Sequence, residues 1–144
     1  MTLPLWMLLA FSVWTLAVLL VGVGVRRWTL IFKGEADLTS FPADTPHGGT
    51  AYRRAVRAHA NCVENLPVFG GLVLIAAVAH LSPRGFDVLS VIVMTARIFQ
   101  TLTHTLLTET NRAVAIRFSF FFVQVMSMAS MALMLALAAT RSLA

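Results

Sequence analysis

Charge is scarce in this chain: only 12% of its 144 residues are Asp, Glu, Lys or Arg, against about 25% in an average soluble domain. With 58% hydrophobic residues and a mean hydropathy of +0.82, that scarcity excludes an ordinary water-soluble domain and points to an integral membrane protein. Cysteine occurs once, at Cys62, so no disulfide forms within a subunit. No group of His, Cys and carboxylate residues has ligand spacing, which argues against a metal site. Tyrosine also occurs once, at Tyr52. There is no internal repeat, no low-complexity tail and no folded basic module for nucleic acid, so the net charge of +5 needs another origin.

Long apolar runs are what the chain does have. Residues 5–25 carry no charge and at about 1.5 Å per residue cross roughly the 30 Å hydrocarbon core of a bilayer. No Lys or Arg precedes this run, Arg26 and Arg27 follow it, and it exceeds the length of a signal-peptide core, so it reads as a retained first helix. Further helices are expected at about 52–81, 87–107 and 112–139, the second containing Pro67, where a kink is expected. Ser82-Pro83-Arg84-Gly85 reads as a tight turn, and Thr110 or Asn111 as the cap of the fourth helix. A polar loop over 26–51 joins the first two spans. The expected fold is therefore a single all-α membrane domain over 1–144, an up-down-up-down bundle of four transmembrane helices.

Six of the 11 basic residues, Arg26, Arg27, Lys33, Arg53, Arg54 and Arg57, lie on or beside the first loop. The positive-inside rule places that loop in the cytoplasm and both termini on the far side, and it accounts for the net charge. Polar residues inside the spans then gather in the cytoplasmic half. Arg57, Asn61 and Glu64 share one face of the second helix, Arg97, Gln100 and His104 form a stripe on the third, and Arg117 and Gln124 lie seven apart on the fourth. Such groups face inward, pair or line a site. Several arginines around one carboxylate suit a small ligand with two carboxylates and one ammonium, and glutathione has that pattern. The same groups could instead be polar glue between helices. Trp6 and Trp28 bracket the first span as anchors. The Met126, Met128, Met131 and Met134 group packs. His59 points away from the Arg57 face, and His47 and His80 belong to loops or interfaces.

The run Arg57-Ala58-His59-Ala60-Asn61-Cys62-Val63-Glu64-Asn65-Leu66-Pro67 closely resembles the second-helix signature of the MAPEG proteins, the membrane-associated proteins of eicosanoid and glutathione metabolism. The resemblance extends to the chain length, the four spans, Arg26-Arg27 after the first apolar run, Arg97 in the third span and Arg117 opening the fourth. It implies a homotrimer that binds glutathione between neighbouring subunits. By position, Arg57, Asn61 and Glu64 match glutathione-binding residues, with Glu64 on the γ-glutamyl amine. Arg26 matches an arginine reaching in from the adjacent subunit, and Arg97, Gln100 and His104 match third-helix contacts. Arg117 matches the residue that holds the thiolate. Many members place a tyrosine where His104 stands, and in some a serine follows the fourth-helix arginine, where this chain has Phe118. Activation here rests on Arg117, with His104.

The expected function is a glutathione-dependent transferase or peroxidase, of the detoxification type, acting on apolar electrophiles or lipid hydroperoxides that arrive through the bilayer. Glutathione serves as co-substrate and no metal is expected. A non-catalytic trimeric lipid or glutathione binder is the alternative. A small four-helix exporter is a weaker one, because Glu64 among arginines makes a poor proton carrier. The expected location is a bacterial inner membrane.

Overall fold

The computed structural model describes residues 1–42 and 48–142. Residues 43–47, which include His47 and part of the expected loop, lie outside the described residues, as do residues 143–144. Among the described residues a short 3-10 turn lies at Leu38–Ser40, no strand occurs, and four helices are long and apolar enough to cross a membrane. We label them α1 (Leu3–Phe32), α2 (Thr50–Val78), α3 (Phe86–Leu106) and α4 (Asn111–Ser142).

The first helix differs from the sequence reading. It does not stop at the arginine pair but continues to Phe32, so residues 26–32 of the expected loop are helical. Arginine is a good helix former, and nothing at 26–27 breaks the backbone ladder. The stop is Gly34, at φ +69, where Gly34 N–H bonds Ile31 O and Glu35 N–H bonds Leu30 O. This pair of bonds is the glycine-terminated helix end that satisfies the last carbonyls. The same pattern ends α2 at Val78 rather than 81: His80 takes φ 54, and Leu81 N–H bonds Ala76 O at 2.9 Å.

Within α1 the stretch Val18–Gly24 is π-helical between two α-helical parts. Gly22 lies in it, and a Cβ there would come within 3.3 Å of the Ala55 Cβ. The lack of a side chain lets α1 approach α2 closely at this level. Thr110 Oγ1 accepts from Ala113 N–H at 3.2 Å and caps α4. The short connections after α2 and α3 force antiparallel neighbours, and α3 and α4 form the most extensive pair.

The core joins all four helices. Phe11 of α1, Cys62, Phe69 and Val73 of α2, Val93 of α3, and Met128, Met131 and Leu135 of α4 are buried together, with the Phe11 and Phe69 rings 5.7 Å apart. A smaller cluster of Val23, Tyr52 and Ala55 closes the end where α1 leaves and α2 begins. Alternation of direction brings Arg26, Arg53, Arg54, Arg57, His104 and Arg117 to that end, and Arg84 and Arg141 to the other.

Candidate functional site

Helical spacing sends Asn61 from α2, Gln100 and His104 from α3, and Arg117 from α4 to one place. They line a cleft of ≈ 320 Å³ whose remaining wall is Val114, Phe118 and Phe121. His104 joins the polar members. Its Nδ1 lies 3.2 Å from Arg117 Nη1, and its Nε2 lies 3.3 Å from the Asn61 amide.

The donors fix the roles in that chain. A guanidinium can only donate, so Nδ1 must accept from Arg117 and carries no proton. On its other side the ring meets the Asn61 amide nitrogen, Nδ2, at Nε2. His104 thus stands between an arginine and an amide. Arg117 gives one N–H to His104 and keeps its others for the cleft.

Gln100 is held from behind. Gln124, fully buried, donates from Nε2 to Gln100 Oε1 at 3.0 Å and to Phe120 O at 3.0 Å. The heptad spacing from Arg117 was the sequence signal for Gln124, but its partner could not be read from spacing. Glu109, which lies outside this cleft, is a residue that sequence reasoning did not single out. Arg57 bonds it at 3.5 Å, across from α2 to the turn before α4. An acidic residue in a turn at the arginine-rich end was the available signal.

The other expected site residues lie elsewhere. Arg97 does not line the cleft; it is 1% exposed, with its guanidinium carbon 5.3 Å from the Phe11 ring centre. Its Nε and Nη2 have no partner among the described residues. Cys62 in turn lies 3.8 Å from Thr101 Oγ1, which also accepts from Trp14 Nε1 at 3.3 Å. Glu64 is exposed on α2, and it forms no ion pair among the described residues. Arg26 sits on the outer surface of α1, its guanidinium stacked on the Tyr52 ring at 5.6 Å and close to Gly49, while Arg27 Nε donates to the Tyr52 hydroxyl. The chain therefore assembles Asn61, Gln100, His104 and Arg117 at one cleft, pairs Arg57 with Glu109 outside it, and presents Glu64 and Arg26 on its surface.

No curated protein matches this chain, and no solved structure does either. The profile described as the MAPEG family matches residues 3–137, nearly the whole chain. That family includes glutathione transferases and related proteins, and also members without catalysis. With four apolar helices, the Arg57–Pro67 run and Arg117 all inside the matched residues, the chain is an integral, multi-pass membrane protein that belongs to the MAPEG family.

Proposed function

We propose that this protein is a glutathione-dependent membrane transferase or peroxidase that works as a homotrimer. The observation that carries the reading is His104 bridging Asn61 and Arg117 in a cleft whose other wall is apolar. A cation with free N–H groups beside a greasy wall suits a thiolate on one side and a lipid-soluble electrophile on the other. The exposure of Glu64 and Arg26 supports a ligand held between neighbours, because a carboxylate on a membrane helix is costly against lipid and is matched by an ammonium or arginine from outside.

In this reading Glu64 takes the glutathione amine, while Arg57, Asn61 and Arg26 of an adjacent subunit take its carboxylates. Gln100 and His104 position the peptide, and Arg97, buried behind the cleft, supports the third-helix stripe. Arg117 faces the sulfur, where a nearby cation raises the thiolate fraction. The thiol proton leaves to water, and the sulfur lone pair attacks the electrophilic carbon as the leaving group departs with its bonding pair. With a lipid hydroperoxide the sulfur takes the terminal oxygen, the alcohol leaves, and a second glutathione converts the sulfenic product to disulfide and water. No metal takes part and no nucleic acid is bound. The first loop faces the cytoplasm of a bacterial inner membrane, following the basic residues near it.

A non-catalytic glutathione or lipid binder is favoured by one feature: no side-chain hydroxyl or phenol lines the cleft among the described residues. An ultraviolet difference titration of the purified protein with glutathione at neutral pH separates the two. A thiolate band that disappears in Arg117→Ala supports the enzyme; binding without a thiolate band supports the binder. Unchanged glutathione affinity in Glu64→Gln would count against the site as drawn.

A further inference from the structure

A second cleft, of ≈ 340 Å³, opens at the same end of the bundle and is lined by Thr50, Arg53, Arg54, Arg57, Thr108 and Glu109. We infer that it binds a phosphate group with net negative charge, supplied by an anionic lipid headgroup or by a soluble phosphate. Charge is the first ground. Three guanidinium groups face one carboxylate, and Glu109 is already engaged by Arg57 at 3.5 Å, which leaves Arg53 and Arg54 in excess.

An unmet donor is the second ground. Arg54 Nε has no hydrogen-bond partner among the described residues, and the Arg54 side chain borders the cleft. The donor set then fits phosphate well. Arginine forks bind phosphate oxygens in pairs, two threonine hydroxyls can add single bonds, and the first turn of α2 adds the positive end of a helix.

Depth is the third ground. The 29 residues of α2 extend about 43 Å, whereas the hydrocarbon core is about 30 Å thick. The first two turns of α2, which hold Arg53, Arg54 and Arg57, therefore stand in the headgroup layer. Trp28, on α1 at this end, is 54% exposed and stacks on Phe32, as aromatic residues at the interface do. The cleft shares only Arg57 with the glutathione site proposed above, and the inference does not depend on that site.

The full chain in phosphatidylcholine nanodiscs containing a minority of phosphatidylglycerol gives the test, with bound lipid read by native mass spectrometry. Wild-type protein retains phosphatidylglycerol in preference, and Arg53→Gln lowers that preference about fivefold. Arg84→Gln, at the opposite end, leaves it unchanged. Arg53 is exposed, so its replacement keeps the fold; circular dichroism checks this. Inorganic phosphate distinguishes the sources: displacement of the lipid by phosphate, or phosphate binding in phosphatidylcholine alone, assigns a soluble ligand, whereas retention assigns the headgroup. Equal losses in Arg53→Gln and Arg84→Gln would overturn the inference, because the preference would then be diffuse membrane charge. Absence of both bound species, or displacement by glutathione alone, would overturn it as well.

Discussion

The Gln100–Gln124 pair offers a test of how the cleft is supported. Gln124 is fully buried, Gln100 is 3% exposed, and the only side-chain bond joining them is 3.0 Å long. Replacing Gln124 with Leu removes that donor and leaves the Gln100 amide buried beside an apolar group. An orphaned buried acceptor costs about 1–3 kcal/mol, while interhelical hydrogen bonds in membrane proteins average about 0.6 kcal/mol with a maximum near 1.7. Because Gln124 is fully buried and Gln100 only 3% exposed, the expected loss lies at the upper part of the membrane range, about 1–1.5 kcal/mol. Gln100→Leu should cost a similar amount. The double variant removes both amides and should lose less than the two singles together, a coupling of about 1 kcal/mol. Mixed-micelle unfolding without glutathione measures all four proteins. Additive losses would refute the reasoning, since the pair would then contribute nothing as a pair.

Other perturbations separate binding from chemistry and from folding. Arg57→Ala should weaken glutathione binding while Arg117→Ala chiefly lowers turnover, as calorimetry and a conjugation assay would resolve. Thr110→Ala removes the bond to Ala113 N–H and should destabilise α4 by about 1 kcal/mol, visible as early amide exchange in its first turn. Gly22→Leu places atoms where a Cβ alone already meets Ala55 at 3.3 Å, so it should separate α1 from α2 and lower thermal stability, whereas Gly24→Ala, whose nearest neighbour is Leu19 O at 3.4 Å, should do so less.

Much of the fold was legible because a bilayer imposes a simple rule on composition. Apolar runs gave four spans, and short turns after the second and third made their neighbours antiparallel. Helix ends were harder to read. Arg26 and Arg27 suggested a stop by charge, but the backbone follows hydrogen bonding, and Gly34 supplies the stop seven residues beyond Arg27. Of the polar stripes, the spacing identified faces but not which partner each face meets. Asn61, Gln100, His104 and Arg117 come together because three helices turn those faces to one cleft. Arg97 lies on the same stripe as Gln100 and His104, yet two turns deeper the bundle is closed and its side chain is taken into the core. Periodicity in one helix carries no information about how deep the neighbouring helices pack.

Arg97 sets up the sharpest contrast between stability and function. A guanidinium 1% exposed, with Nε and Nη2 unpaired among the described residues, is expensive to keep in a low-dielectric interior. Its guanidinium lies over the Phe11 ring, and it forms no ion pair with a carboxylate among the described residues. Methionine has a similar length, no charge and a flexible shape that fills irregular space. Replacing buried charged groups by well-packed apolar ones is often neutral or stabilising by about 1–4 kcal/mol. Arg97→Met should therefore be at least as stable as wild type in mixed-micelle unfolding, and any loss of glutathione-dependent turnover would then belong to the site rather than to the fold. A loss of about 3–5 kcal/mol would refute this, because removing one member of a compensated buried pair has that cost, and the arginine would then have to hold a partner supplied by assembly.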